Sequence, residues 1–312
     1  MTNRKYLVTG ATGATGSAVV KLLLDKKMDV RALVHSEDGR ANALRELGAE
    51  VINGDLLNFE SVRTGLEGMY SAYFVYPIVP GILQATAYFA QAAKEAQLTA
   101  IVNMSQISAR REAKSHAAQD HWFSERVFDW SGVGVTHLRP TFFAEWSLRW
   151  AASYKSGKLL LPFGTGRHAP VAAIDQARVI ANILVAPEEH KGKTYPLYGS
   201  KEFSFAEITA EVARILAKPI GYEQTDVATL RRSQRTQLGD FFWQHLSEVA
   251  RDHQNGLFAG TNDVIEKIGG QPPLGLREFL LAHKDELAGG SKESDPSTDA
   301  RVLEAVELPQ RS

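Results

Sequence analysis

A glycine-rich turn near the N-terminus constrains the fold of this chain more than any other feature. Gly10, Gly13 and Gly16 are three residues apart, between an apolar run at 6–8 and a segment with apolar residues at helical spacing at 18–24. This order predicts a strand, a tight turn and a helix, and it disfavours the alternative of an ordinary glycine loop. The glycines let the backbone approach a ligand, and free N–H groups at the helix start favour an anion, which we expect to be a dinucleotide pyrophosphate. The predicted contacts are Gly10, Thr12, Gly13, Ala14, Thr15 and Gly16.

Composition excludes several classes of site and partner. The 312 residues are 44% hydrophobic, which suffices for one large or two unequal domains. The net charge of −1 gives no basic field, and the arginine clusters at 110–111 and 231–235 lack interleaved aromatic residues, so we expect no nucleic-acid partner. Cysteine is absent and the nine histidines are scattered, so no metal site is predicted.

No apolar run approaches the roughly 20 residues of a membrane span. With no secretory signal before the first strand, we expect a cytoplasmic protein without a membrane partner.

Strand-like and helix-like segments alternate from the N-terminus to Pro140. This alternation predicts βαβ units and an α/β fold, a doubly wound parallel Rossmann sheet with its ligand crevice beyond the carboxyl ends of the strands. The predicted strands are 6–8, 30–34, 50–52, 72–75, 100–102 and 133–138. The predicted helices are 15–25, 39–47, 61–66, 81–96 and 119–130.

The pattern changes after Pro140, which suggests a smaller, mixed C-terminal region. We predict an aromatic helix at 142–154, a helix at 175–185, a strand near 194–198 that joins the core sheet, and a helix opened by a capping box at Ser204 and Glu207. The predicted division is a dinucleotide-binding Rossmann domain at 1–155, a substrate or lid region at 156–288 that covers the crevice, and a disordered tail at 289–312.

The end of the second strand distinguishes NADP from NAD. A carboxylate there binds the ribose 2′-OH and repels a 2′-phosphate, but this strand ends in Val34-His35-Ser36. His35, Ser36 and Arg40 could hold the phosphate, so we favour NADP, with NAD possible because Glu37 and Asp38 could turn back toward the ribose. The alternative for Arg40 is a solvated arginine at a helix start.

Further cofactor contacts are expected where later strands end, because these positions border the crevice. Each could equally be an ordinary turn residue. They are Asp55 and Leu56 after the third strand, Tyr76 and Pro77 after the fourth, Met104 and Ser105 after the fifth, and Pro140 after the sixth.

Several short motifs, taken in order, resemble the NmrA-like branch of the atypical short-chain dehydrogenases/reductases. The resemblance covers about residues 4–287 and implies either a reductase of quinones, triphenylmethane or azo dyes or isoflavone-type substrates, or a co-regulator or redox sensor that binds the dinucleotide without turning it over. The motifs are Thr9-Gly10-Ala11-Thr12-Gly13-x-x-Gly16, 30–34, Gly54-Asp55-Leu56, Leu138-Arg139-Pro140, 193–199, 205–208 and 276–280.

Typical members of the wider superfamily carry a Tyr-x-x-x-Lys pair on the helix after the fifth strand, and this chain lacks it there. Only Tyr154 has a lysine four residues later, and that pair follows the sixth strand. His121 and Glu125 stand at the expected positions, which resembles the quinone and dye reductases. Without the pair, alcohol dehydrogenation is disfavoured, whereas direct hydride transfer to a conjugated acceptor needs no strong acid. His121 is the candidate catalytic residue, as proton donor or ring-orienting group, or is a helix residue with no catalytic part.

An aromatic stretch after Pro140 predicts the acceptor pocket. Phe142, Phe143 and Trp146 could stack on a flat molecule, and the alternative is that they belong to the core. Glu145 among them is either a buried carboxylate or a polar pocket group. The predicted function is an NADPH-dependent reductase of quinones or similar conjugated acceptors. The alternative is an NADP-sensing regulator with a protein partner. No oligomeric state is predicted.

Overall fold

A seven-stranded sheet forms the centre of the fold in the computed structural model, which describes residues 4–233 and 238–289. All of its strands are parallel, in the order β3-β2-β1-β4-β5-β6-β9. The strands are β1 (Lys5–Val8), β2 (Asp29–Val34), β3 (Glu50–Asn53), β4 (Ser71–Phe74), β5 (Ala100–Met104), β6 (Gly134–Pro140), β7 (Lys158–Leu161), β8 (Arg167–His168), β9 (Lys193–Leu197), β10 (Phe203–Ser204) and β11 (Gly221–Gln224).

Helices cover both faces of this sheet, as a parallel sheet requires. They are α1 (Ala14–Asp25), α2 (Gly39–Glu46), α3 (Phe59–Leu66), α4 (Ile82–Glu95), α5 (His116–Trp130), α6 (Ala151–Ser156), α7 (Ala173–Val185), α8 (Phe205–Leu216), α9 (Val227–Ser233), α10 (Asp240–Gln254), α11 (Val264–Gly269), α12 (Leu276–Ala282) and α13 (Lys284–Leu287). A 3₁₀ helix, Ala144–Trp150, precedes α6. No helix in the described ranges is both long enough and apolar enough to span a bilayer.

Alternation along β4 assigns its side chains to two cores. Phe74 packs against Phe89 of α4 and Phe128 of α5, with ring centroids 4.9 and 5.1 Å away. Ser71 and Tyr73 point to the opposite face, where α1 and α7 pack together and the Ser71 hydroxyl donates to the Leu184 carbonyl at 2.8 Å. Successive residues of a strand face opposite sides, so one short strand joins both layers.

The prediction of a doubly wound sheet is confirmed. Strand order reverses at β1, which lies between β2 and β4, and this is the point where such sheets bind ligands. Every predicted strand and helix up to Pro140 is present, with ends displaced by three residues at most. β9 lies beside β6 at the edge of the sheet, near the late strand expected at 194–198.

The predicted helix at 142–154 is wrong in its first half. Phe143 and Val171 form a β-bridge, in which the Val171 N–H donates to the Phe142 carbonyl at 3.0 Å and the Ala144 N–H donates to the Val171 carbonyl at 3.1 Å. This pairing holds Phe142 and Phe143 extended, so helical geometry begins only at Ala144 and as a 3₁₀ helix. Apolar spacing alone cannot distinguish these conformations.

A second core lies under the C-terminal region. β7 pairs with β11, β8 pairs with β10, and α8, α12 and α13 surround the buried rings of Phe163, Phe205 and Phe279. The division at residues 155 and 288 stays a prediction. Of the expected tail, 290–312 lies outside the described residues, as does Arg235 of the C-terminal arginine cluster.

The capping box at the start of α8 gives a stability test. The Ser204 hydroxyl accepts the Glu207 N–H, and the Glu207 carboxylate accepts the Ser204 N–H at 2.8 Å. We expect Ser204→Ala to lower the free energy of unfolding by about 1 kcal/mol, because it leaves a helix N–H without its acceptor. Urea unfolding would measure this, and Ser204→Asp, which retains an acceptor, should stay close to the parent. Equal losses in both variants would contradict the prediction.

Candidate active site

The glycine turn brings α1 against the end of β1. Gly10 has φ +56°, and a Cβ there would lie 2.5 Å from Val75 Cγ1. A Cβ on Gly16 would collide with the Gly10 carbonyl oxygen. The Gly13 N–H donates to that same carbonyl at 3.0 Å and closes the turn. Side chains at positions 10 and 16 would therefore push the helix off the strand.

The N-terminus of α1 is suited to an anion. Gly13 is the N-cap, no side chain caps the helix, and the first turn has no acidic residue. The N–H groups of a first turn carry partial positive charge and need acceptors. A pyrophosphate supplies such acceptors, so these residues fit a dinucleotide phosphate without rearrangement.

A cavity of about 300 Å³ runs from this helix start to the 3₁₀ helix. It brings together, from the predicted set, the six glycine-turn residues, Arg40, Pro77, Met104, Phe143 and Trp146. It adds Tyr73, Val75, Glu145 and Arg149. The lining ends at residue 149, so the region at 156–288, expected as a lid, contributes no lining residue in the described part of the chain.

Near the end of β2, the polar groups are organised by Asp38, the N-cap of α2, and not by the last residues of the strand. Asp38 Oδ1 accepts the N–H groups of Arg40 and Ala41, and Oδ2 holds the Arg40 guanidinium at 2.7 and 2.9 Å. The Arg40 hydrogen bond keeps the pKa of Asp38 below its usual value. His35 and Ser36 are exposed and lie outside the cavity lining, so only Arg40 of the predicted trio reaches it.

Four of the predicted strand-end contacts serve local structure and do not line the cavity. Asp55 Oδ1 accepts the Leu57 N–H at 2.8 Å, and Leu56 packs against the core beside α4. The Tyr76 hydroxyl donates to the Pro80 carbonyl at 3.2 Å, and the Pro140 carbonyl accepts the Ile107 N–H at 3.1 Å. The turn contacts of Asp55 and Tyr76 match the alternative that the sequence allowed, an ordinary turn residue, whereas the core packing of Leu56 was not foreseen.

Glu125, which the resemblance places at the lysine position of the Tyr-x-x-x-Lys pair, is a buried structural anchor. Its carboxylate is fully buried and pairs with Arg139 at 2.6 and 2.8 Å. The hydroxyl of Ser105, the predicted contact after the fifth strand, donates to Glu125 at 2.6 Å. These bonds tie α5 to β5 and β6 and leave Ser105 outside the cavity lining. The role of Arg139 was missed, although an arginine near the end of a buried strand already required a carboxylate partner.

His121 lies one turn before Glu125 and outside the cavity lining. It is 4% exposed, and its Nδ1 has no partner among the described residues. α10 packs against α5, and the Gln244 amide of α10 accepts the His116 N–H and donates to the Lys114 carbonyl just before the helix. Burial, and secondarily His245, lower the pKa of His121 to about 4, against a raising effect from Glu125. His121 is therefore neutral at pH 7 and shielded from the predicted ligand.

The extended pair Phe142 and Phe143 separates core from pocket. Phe143 lines the cavity with Trp146, and we call these two side chains the aromatic end of the cavity. Phe142 points the other way and packs on Trp146 and Phe258, with centroids 4.7 and 4.5 Å away, inside the second core. Of the three predicted pocket residues, Phe142 is thus a core residue that borders only a narrow space of about 10 Å³.

Glu145 and Tyr73 add polar groups to the lining that the sequence left open or missed. Glu145 Oε1 accepts the Ala173 N–H at the start of α7 at 2.9 Å, while Oε2 has no partner in the described structure. Burial raises the pKa of Glu145. The fully buried Tyr73 hydroxyl also has no partner in the described structure. Its place could have been found from the period-two alternation of β4.

The sequence of this chain matches a known protein family. Residues 2–251 match the NmrA-like family. The chain belongs to the NmrA-like family. It is 28% identical to an NAD(P)H azoreductase of Xenophilus azovorans over 286 residues, which cover 89% of this chain and 97% of the azoreductase.

Two solved structures share the fold of this chain. The NADPH-dependent quinone oxidoreductase of Escherichia coli in complex with NADPH matches with a TM-score of 0.79 at 23% identity, over 89% of this chain and 99% of that one. The negative transcriptional regulator NmrA in complex with NAD matches with a TM-score of 0.78 at 16% identity, over 93% and 99%. One backbone architecture thus occurs in an enzyme and in a regulator.

The burial of His121 predicts a pH-dependent stability. Its pKa is lowered on folding from 6.5 to about 4, so the unfolded chain takes up the proton first. The contribution of neutral His121 to the free energy of unfolding is therefore complete above pH 6.5. It is lost as the pH falls toward 4, by on the order of 3 kcal/mol. We expect His121→Gln to reduce the pH dependence of urea unfolding in this range. The control His116→Gln, at an exposed histidine of the same helix, should retain it. An unchanged pH dependence in His121→Gln would contradict the assignment.

Proposed function

We propose that this protein is an NADPH-dependent reductase that transfers hydride directly to a quinone or a similar conjugated acceptor, without a Tyr-Lys pair. The observation that supports this most is one continuous cavity, which joins the uncapped start of α1 to the aromatic end. A dinucleotide whose pyrophosphate is held at the start of α1 would extend toward the aromatic end of the cavity. The azoreductase relative, similar over nearly its whole length, is consistent with that chemistry.

Binding of the dinucleotide in this proposal depends on two groups of the chain. The first turn of α1 receives the pyrophosphate, and Arg40 receives the 2′-phosphate. Arg40 is already held in place by Asp38, so little side-chain entropy is lost on binding. Glu37, the other nearby carboxylate, is paired with Arg45. When bound, NADPH supplies the hydride.

The acceptor in this proposal lies against Phe143, Trp146 and Met104. A flat conjugated molecule buries its faces well against such side chains. Hydride addition to a quinone leaves a negative charge spread over a conjugated system, so a solvent proton suffices. A proton from His121 would require that side chain to reach the cavity, which it does not line. Solvent is therefore the proton source we propose.

The alternative function is a regulator that binds the dinucleotide and a protein partner. The replacement of the catalytic lysine by an ion-paired, buried Glu125 favours it, since a protein without the Tyr-Lys pair need not be an enzyme. The shared fold with a transcriptional regulator is compatible with it. Turnover distinguishes the two functions.

Purified protein should oxidise NADPH in the presence of naphthoquinone or an azo dye. We expect loss of NADPH absorbance to depend on both enzyme and acceptor, because one cavity joins the start of α1 to the aromatic end. Phe143→Ala should raise KM for the acceptor by roughly tenfold, the effect of losing one stacked ring. It should leave the Kd of NADP⁺ near its parent value. Tight NADP⁺ binding without turnover of any quinone or dye would reject the reductase and favour the regulator.

Arg40 should determine the preference for NADP over NAD. We expect Arg40→Gln to weaken NADP⁺ binding about ten- to hundredfold, the range for losing a charged hydrogen bond, while NAD⁺ binding changes little. Titration calorimetry with both nucleotides would measure this. Arg63→Gln, which removes an exposed arginine paired with Glu60 on α3 and outside the cavity lining, is the control. Equal weakening of both nucleotides by Arg40→Gln would contradict the proposed role.

A further inference from the structure

Arg149 is an unpaired cation in the cavity lining. It lies at the end of the 3₁₀ helix, with its guanidinium carbon 5.9 Å from the centroid of the Trp146 ring. Among the described residues, it has no hydrogen bond or ion pair. Arg40, the other arginine of the lining, is bound by Asp38. Arg40 therefore meets a ligand with a carboxylate already bound to it, whereas the guanidinium of Arg149 has no such partner in the described structure.

The nearest acidic residue of the lining does not neutralise Arg149. Glu145 lies one turn earlier on the same 3₁₀ helix, but its Oε1 is occupied by the Ala173 N–H of α7. Burial favours the neutral form of its carboxyl. Asp175, behind Glu145, is bound by Arg178 and by the Leu274 N–H. Burial lowers the pKa of Arg149 and the charge of Glu145 raises it, but no carboxylate in the described structure forms an ion pair with the guanidinium.

We propose that Arg149 is the anion receptor of the acceptor, so that this protein prefers flat conjugated molecules with a negatively charged substituent such as a sulfonate or carboxylate. This inference rests on the proposed reductase function and specifies its substrate class. A ring packed against Phe143 and the edge of Trp146 in the cavity would bring a substituent near the guanidinium. An arginine presents a planar set of donors that matches the oxygens of such groups.

A phosphate of the dinucleotide is the other possible source of the anion. The cavity also includes the start of α1, so this source is tested separately. The acceptor is favoured because the pyrophosphate already has the N–H groups of α1, and the 2′-phosphate has Arg40. Arg149 instead lies beside Trp146, at the aromatic end.

The test compares naphthoquinone with naphthoquinone sulfonate at saturating NADPH. The variants are Arg149→Gln, Arg149→Lys and, as a control, Arg63→Gln, whose arginine is exposed on α3 and paired with Glu60 far from the cavity. We expect Arg149→Gln to lower kcat/KM for the sulfonate about ten- to hundredfold, mainly through KM. The neutral quinone should change less than about twofold, since it makes no ion pair. Arg149→Lys should restore part of the loss, and Arg63→Gln should match the parent.

A second measurement separates the two sources of the anion. The Kd of NADP⁺, from titration calorimetry, should be equal in the parent and in Arg149→Gln. A loss of NADP⁺ affinity in Arg149→Gln would assign Arg149 to the dinucleotide and overturn the proposal. So would an equal loss of kcat/KM for both quinones.

Binding of an unreactive probe keeps the inference testable if the reductase function fails. Naphthalene sulfonate added to the NADP⁺ complex should quench tryptophan fluorescence with a Kd at least about tenfold lower than that of a neutral naphthalene, as one ion pair would give. Arg149→Gln should abolish that difference. If neither quinone is reduced but the probe still discriminates, the reductase proposal falls and the anion site stands. Equal binding of both probes to the parent protein would reject the anion site.

Discussion

The close contact between Gly10 and Gly16 is the constraint on which the remaining site depends. Because neither residue has a Cβ, α1 begins directly at the end of β1, and its N–H groups face the point where strand order reverses. α7 packs along α1, and the first N–H of α7 is bound by Glu145. The 3₁₀ helix is thereby held opposite the glycine turn. A single backbone contact thus positions both the phosphate end and the aromatic end of one cavity.

The opposite wall of the cavity depends on a β-bridge. Phe143 pairs with Val171, and the resulting extended conformation directs Phe142 and Phe143 to opposite sides. One ring completes the second core and its neighbour completes the pocket. The C-terminal region therefore positions the lining residues Phe143 and Glu145 through Val171 and α7. In the described structure it contributes no residue to the cavity lining itself.

Most of the sheet and the glycine turn could be predicted from the sequence, because glycine spacing and apolar periodicity report local geometry directly. The capping box at Ser204 is of the same kind. The predictions that did not reach the cavity, among them His35, Ser105 and Phe142, depended on which way a side chain turns at a strand end. That choice is made by partners distant in sequence: Glu125 is 20 residues from Ser105. Arg149 joined the site for the same reason, through packing that no local pattern records, whereas Tyr73 follows from the alternation of β4.

The bonds of Glu125 have a consequence for substitutions on α5. Introducing tyrosine at 121 and lysine at 125 would not recreate the dehydrogenase pair of the wider superfamily. A lysine at 125 would face Arg139 in a buried site, and the Ser105 hydroxyl would lose its acceptor. Tyrosine at 121 would lie beneath α10, away from the cavity. Accommodating both side chains would require coordinated change in β6, α5 and α10, because a single substitution does not replace the packing and charge that hold Glu125 and His121.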